Sequence, residues 1–105
     1  MAYEVVVGKS CKVKDTTDIV ASIEFSALKH ITSLAQKCDC VFLNSLSNLF
    51  VDATFTPDDI ARAIQALNPL LLHTLTTDDR KMLYKLLAVL GYAWAKQQRL
   101  FGVAD

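Results

Sequence analysis

Residues Thr76 to Phe101 read TTDDRKMLYKLLAVLGYAWAKQQRLF and contain the clearest helical pattern of the chain. This stretch opens with hydroxyl and carboxylate side chains, which cap the free backbone N–H groups of a first helical turn and suit the positive end of the helix dipole. Apolar residues then recur at the three- and four-residue spacing of an amphipathic helix, and Gly102 follows as a C-terminal stop. The pattern predicts one long helix over residues 76–101.

A helical wheel divides this predicted helix into an apolar arc and a basic strip. The apolar arc covers roughly 160° of the circumference, which is wider than a helix needs to dock on one neighbour. We therefore expect the arc to fill the core or to contact a partner. Its candidate contact residues are Leu83, Leu87, Leu90 and Trp94. The opposite strip could bind phosphates or an acidic protein surface, although charged residues on the outer face of a helix are usually only solvated. Its residues are Lys81, Lys85, Tyr92, Lys96 and Arg99.

The length and composition are those of one small domain spanning residues 1–105. Of its 105 residues, 52% are hydrophobic and 21% are charged. A domain of this size has one core and a large surface around it, so its apolar surplus indicates a tightly filled core or a contact with a second molecule. Eleven basic and eleven acidic residues are mixed along the chain. This balance makes nucleic acid an unfavoured partner, because phosphate binding depends on clustered Lys and Arg.

The N-terminal residues and the apolar runs predict a cytoplasmic protein without a membrane segment. The N-terminus carries an acid, Glu4, and lacks the basic region of a secretory signal. The longest apolar runs are far shorter than a membrane span. Three cysteines, an odd number, do not suggest a secreted disulfide framework, so we expect reduced thiols.

Two elements are predicted in the N-terminal third of the chain. Residues 3–7 are rich in β-branched side chains and form a hairpin with residues 11–14 through a turn at Gly8. Residues 15–37 follow as a helix, because oxygen-bearing side chains open the segment and apolar residues then recur at helical spacing.

The middle of the chain contains one ambiguous segment and one clear helix. Within residues 38–55, apolar spacing favours a helix over 41–51, but the Asn and Ser residues favour turns, so a second hairpin is the alternative. Thr56-Pro57-Asp58-Asp59 is a strong helix start, and the helix ends near Leu67. Residues 70–75 add one short helical turn. The predicted fold is mostly α, a compact bundle of about four helices with an N-terminal β-hairpin, and α+β is the alternative.

Two polar residues fall inside the predicted apolar arcs. Glu24 lies between Val20 and Leu28 on one wheel, and Gln97 lies beside Leu90 on the other. An unpaired carboxylate is costly to bury. Glu24 is therefore expected to reach the rim of the core, or else to mark a contact surface.

No catalytic or cofactor motif is present in the sequence. Val7-Gly8-Lys9-Ser10 is not a phosphate-binding loop, because Tyr3 occupies the position of the earlier glycine. The acid pairs at 58–59 and 78–79 each lie in a first helical turn, where they complement the helix dipole. The sequence therefore predicts a non-enzymatic protein without a cofactor.

The cysteines do not predict a metal site either. Cys38 and Cys40 are separated by one residue, whereas paired cysteines in structural zinc sites are usually two to four residues apart. The negative charge of Asp39 between them is expected to disfavour reactive thiolates at this position. The other side chains considered as ligands are Cys11, His30 and His73.

Two functional hypotheses follow. The first is a small interaction module that binds and modulates, for example inhibits, a larger protein, or that assembles with itself as a homodimer. The second is a helix-turn-helix-like DNA-binding regulator built on helices at 57–67 and 77–101. The second hypothesis is weaker because the base-reading end of the later helix would carry Asp78 and Asp79, which repel phosphate.

Overall fold

The computed structural model describes residues 2–8, 18–47 and 52–103, which form four α-helices and one four-stranded antiparallel sheet. The mostly helical fold with an N-terminal strand is confirmed, and the sheet is larger than one hairpin. In chain order the elements are β1 (Ala2–Gly8), β2 (Asp18–Glu24), α1 (Leu28–Lys37), α2 (Val41–Leu46), β3 (Ala53–Phe55), α3 (Pro57–Leu67), α4 (Thr77–Lys96) and β4 (Arg99–Val103).

The sheet has the order β2-β1-β4-β3, so the first and last strands of the chain lie together at its centre. Val5 of β1 lies opposite Ala21 on one side and opposite Gly102 on the other. A register shift between Val5 and Val6 marks a bulge in the pairing of β1 with β2. The helices cover one face of the sheet, where the inward strand residues complete the core; these are Tyr3, Val5, Val7, Ile23, Phe55 and Leu100.

The predicted helix over residues 15–37 is wrong over residues 18–24, and residues 15–17 lie outside the described residues. Residues 18–24 form β2, and the helix begins only at Leu28 after a 3₁₀ turn at Phe25–Ala27. The β-branched residues of this segment favour a strand once β1 is available to pair with it. Glu24 is consequently the last residue of a strand and is exposed, so it is not a buried polar group. The returning strand predicted at 11–14 lies outside the described residues.

The predicted end of the long helix is also wrong, because α4 stops at Lys96 and not near residue 101. Gln97 adopts a left-handed conformation with φ of 53°, which turns the chain back into β4. Leu100 fits both a helical and an alternating pattern, and pairing with Val7 of β1 decides in favour of the strand. Gly102 is therefore not a helix stop but a buried residue of the central strand.

The helix predicted from Pro57 to Leu67 is confirmed as α3. The Thr56 side chain accepts a hydrogen bond from the Asp59 backbone N–H, and the Asp59 carboxylate accepts one from the Thr56 N–H. This reciprocal capping explains why a short local motif sufficed for the prediction.

The ambiguous middle segment contains one short helix and one short strand. The helix predicted over 41–51 begins at Val41 and ends at Leu46 as α2, and residues 48–51 of that prediction lie outside the described residues. Residues 53–55 are a strand, but they pair with β4 at the edge of the sheet and do not form a local hairpin. In place of the helical turn predicted at 70–75, a 3₁₀ helix spans Asn68–Leu72.

Candidate functional surface

The inward side of α4 is filled by the chain's own core. Leu83 and Leu90 are fully buried, and Leu87 is half-buried against the same core. These three residues of the predicted contact face therefore stabilise the fold itself. Trp94, the fourth, is 44% exposed and lies at the border between the core and the surface.

The outward side of α4 exposes large aromatic rings around a flat centre. Tyr84 is 53% exposed and Tyr92 is 38% exposed. On the helical wheel these rings and Trp94 surround three small residues that follow one another at four- and three-residue spacing. The outward α4 face is defined here as Tyr84, Ala88, Gly91, Tyr92, Trp94 and Ala95.

Gly91 lies at the centre of this face. Apart from its chain neighbours and the backbone of its own helix, a Cβ atom added at Gly91 would meet no atom within 4 Å. Glycine in the interior of a helix is less favourable than alanine by about 0.5–1 kcal/mol. The packing of the described residues does not require this glycine, and its absence of a side chain lets another molecule approach the helix backbone closely.

The predicted basic strip is divided in the structure. The Lys85 ammonium group donates a hydrogen bond of 2.6 Å to the backbone carbonyl of Ser22 in β2, so this lysine ties α4 to the sheet. Lys96 lies over the Tyr92 ring, 5.7 Å from its centroid, in a cation–π contact. Arg99 is the first residue of β4 and not part of the helix. Lys81 is exposed.

Gln97, the second polar residue that the wheel placed inside an apolar arc, is exposed at the C-terminal end of α4 and is not a buried polar group. Its side-chain amide donates to the Trp94 carbonyl at 2.8 Å and satisfies one free carbonyl of the last turn. The left-handed backbone at this position is strained for a residue with a Cβ atom.

Replacing Gln97 with glycine is expected to raise the free energy of unfolding by about 0.5–1 kcal/mol, because glycine adopts the left-handed conformation without strain. Urea denaturation measures the change. Gln98→Gly is the matched control and is expected to lower stability, since Gln97 is the only non-glycine residue with positive φ in the described segments. Equal effects of the two substitutions would contradict the strain at Gln97.

A partly buried polar cluster joins α1 to the first turn of α4. The carboxylate of Asp79 accepts hydrogen bonds from His30 Nδ1 at 2.9 Å and from the Ser33 hydroxyl at 2.7 Å. The Asp79 backbone N–H donates to the Thr76 hydroxyl. Among the described residues, Asp79 is the only buried charged side chain.

The pKa of Asp79 reflects two opposing effects. Burial raises it, but the hydrogen bonds from Ser33 and His30, together with the positive charges of His30 and Lys37, outweigh burial and hold the pKa below the ordinary value of 3.8. The carboxylate therefore remains ionised and serves as the acceptor that fixes both donors on α1.

The same cluster contains the three residue types of a serine hydrolase, but its geometry differs. The Ser33 hydroxyl donates to the carboxylate and not to the imidazole. A catalytic triad needs a hydrogen bond between the nucleophile and the base. The arrangement is therefore that of a structural connection between α1 and α4. From its position in the first helical turn, Asp79 was predicted only to cap α4. On the helical wheel, however, it lies beside Leu83 and Leu86, on the side that faces the core.

Cys38 and Cys40 lie at the corner between α1 and α2. The Cys38 thiol donates to the Ala66 carbonyl of α3, and Cys40 is buried. Burial, followed by the neighbouring Cys40 and Asp39, raises the pKa of Cys38, which disfavours its thiolate. Within residues 2–8, 18–47 and 52–103, no three His, Cys, Asp or Glu side chains are close enough together to hold a metal ion.

Two cavities lie beside these elements. One, of about 300 Å³, opens between α2 and α3 and is lined by residues that include Cys40, Val41 and Arg62. The other, of about 530 Å³, lies at the end of α4 and is lined by residues that include Lys96 and Arg99. The first is mainly apolar, whereas the second is lined by two cations.

None of the helices in the described segments is both long and apolar enough to cross a membrane. The chain matches no protein-family model, no curated protein and no solved structure.

Proposed function

We propose that this chain is a non-enzymatic protein-interaction module that binds and modulates a larger protein through the outward α4 face. The observation that carries the proposal is the exposure of three aromatic rings around Gly91 on one rigid helix. Aromatic side chains supply much of the binding energy of protein interfaces, and exposed aromatic clusters are uncommon on surfaces without a partner.

The charge of this part of the chain favours a different protein over a second copy. From Arg80 to Val103 the chain contains five Lys or Arg residues and no Asp or Glu; the cations are Arg80, Lys81, Lys85, Lys96 and Arg99. Two copies docked face to face would bring these cations together, which disfavours association. We therefore propose a partner with an acidic rim around an apolar contact.

The DNA-binding alternative receives no supporting observation. Asp78 is exposed at the N-terminal end of α4, where it would face the phosphates of a bound duplex. The carboxylate of Asp79 is occupied by α1.

Gly91→Ala tests the proposed surface with two readouts of opposite sign. Because the added methyl group meets open space, the substitution is expected to stabilise the isolated chain by about 0.5–1 kcal/mol. The same methyl group would separate a partner from the helix backbone and weaken binding. Thermal denaturation gives the first readout.

Purification of the tagged chain from its native cells gives the second readout, with the mass of the complex measured by light scattering. The partner recovered with the wild-type chain is expected to be depleted with Gly91→Ala and retained with Val41→Ala. Val41 is a suitable control because it is 79% exposed on α2, on a different part of the surface. Depletion by Val41→Ala instead would reject the outward α4 face as the binding surface.

A further inference from the structure

The end of α4 and the start of β4 place two cations on one cavity. Lys96 is the last residue of the helix, Gln97 reverses the chain direction, and Arg99 begins the strand. The cavity that they share has a volume of about 530 Å³. Its described lining residues are Gly8, Pro57, Lys96, Gln97, Gln98 and Arg99.

The polar groups on this cavity favour an anion. None of its described lining residues is acidic, and the two cations are accompanied by the carboxamides of Gln97 and Gln98, which include hydrogen-bond donors. Within the described segments neither Lys96 nor Arg99 forms an ion pair with a carboxylate. Arg99 lies opposite Gly8 in the β1–β4 ladder, so its cross-strand neighbour has no side chain to cover it.

The strained turn is what brings the two cations together. A left-handed residue at the end of a helix is most often glycine, but here it is Gln97. Strain of this kind at a non-glycine residue is frequently found where a binding site is formed. At this position the residue both reverses the chain between Lys96 and Arg99 and lines the cavity.

We propose that this cavity binds the carboxylate of an acidic side chain of the partner protein. The proposal rests on the proposed function, because it supplies an anchor for the same partner beside the outward α4 face. Arg99 can hold a carboxylate with two parallel N–H···O hydrogen bonds, and Lys96 adds a second charge. A nucleic-acid backbone is less suitable, because its affinity depends on many phosphate contacts and this chain has no net positive charge.

The test uses a hexaglutamate peptide with blocked ends as the probe and nuclear magnetic resonance of the ¹⁵N-labelled full chain as the readout. The expected result is a saturable shift of the backbone amides of Gly8 and residues 97–99. A hexaglutamine peptide is expected to cause no such shift. In the double variant Lys96→Gln/Arg99→Gln, affinity for hexaglutamate is expected to fall about tenfold or more.

The matched control is Lys29→Gln/Arg62→Gln, which removes two exposed cations elsewhere and changes the net charge equally. This control is expected to keep the affinity of the wild-type chain, and circular dichroism verifies the fold of both variants. Equal loss in the control would show non-specific attraction and overturn the proposal. Tighter binding of inorganic phosphate or of duplex DNA than of hexaglutamate would also overturn it. If hexaglutamate fails to bind while Gly91→Ala still depletes the partner, the carboxylate site is wrong and the proposed function stands.

Discussion

Replacing Asp79 with alanine is expected to lower the free energy of unfolding by about 2–3 kcal/mol, since removal of the buried acceptor leaves its hydrogen-bond donors unsatisfied. His30 and Ser33 on α1 would both lose their acceptor. The first turn of α4 would lose its main polar connection to α1. Urea denaturation followed by circular dichroism measures the change.

Asp78→Ala is the matched control, because Asp78 is the adjacent residue of the same helical turn and is exposed. Removal of its favourable interaction with the helix dipole is expected to cost only about 0.5 kcal/mol. If the two substitutions lowered the free energy of unfolding equally, Asp79 would stabilise the fold only through the helix dipole. Its hydrogen bonds to α1 would then contribute nothing measurable to stability.

The contribution of Asp79 is also expected to depend on pH. Its pKa in the folded chain lies below 3.8, the ordinary value that applies in the unfolded chain. Its contribution is therefore fully present above the unfolded value and is lost as the pH falls through the lower folded value. The stability difference between the wild-type chain and Asp79→Ala should persist above about pH 4 and decrease below it. A difference that grows on acidification would contradict this sign.

Gly102→Ala is expected to lower the free energy of unfolding by about 2–3 kcal/mol, because a close-packed core tolerates an added methyl group poorly. A Cβ atom at Gly102 would overlap the hydroxyl and the ring of Tyr3. Tyr3 is fully buried, so its ring cannot swing into solvent. The same burial, together with the charge of Asp52, raises the pKa of Tyr3 to about 12.

A double-mutant cycle with Tyr3→Leu separates this overlap from other effects at Gly102. Leucine shortens the side chain that meets the new methyl group, so Gly102→Ala should cost less than half as much in the Tyr3→Leu background as in the wild-type chain. Additive effects would indicate that the strand backbone, and not the Tyr3 ring, resists the substitution. Gly91→Ala, at an exposed glycine, is expected to raise the free energy of unfolding, in contrast to Gly102→Ala.

Local sequence signals were enough for the elements that carry their own caps. Thr56 and Asp59 satisfy each other's backbone groups within one turn, so α3 could be predicted to the residue. At the start of α4, the Thr76 hydroxyl accepts a hydrogen bond from the Asp79 backbone N–H, which is one half of the same motif. At residues 18–24, no comparable local signal distinguishes a strand from a helix. The strand β2 forms because it pairs with β1, which is not adjacent in the sequence.

The candidate surface was predictable in part. The aromatic residues of α4 were visible in the sequence, but the wheel alone could not separate Leu83, which the core buries, from Trp94, which it leaves exposed. In the sequence, Arg99 follows the same helical spacing as Lys96. In the structure, the left-handed residue Gln97 ends α4 after Lys96, so Arg99 belongs to β4. Asp79 was missed because a capping role already explained an acid at that position.

Photo-crosslinking in native cells from a benzoylphenylalanine residue placed at Tyr84, compared with one placed at Val41, tests whether the outward α4 face binds a partner. Tyr84 lies on the outward α4 face, whereas Val41 is more exposed but lies on α2. We predict that Tyr84 forms a crosslink to a larger protein and that Val41 does not. Crosslinking at Val41 alone, or at neither position while a complex is still recovered, would contradict the assignment of the outward α4 face as the binding surface.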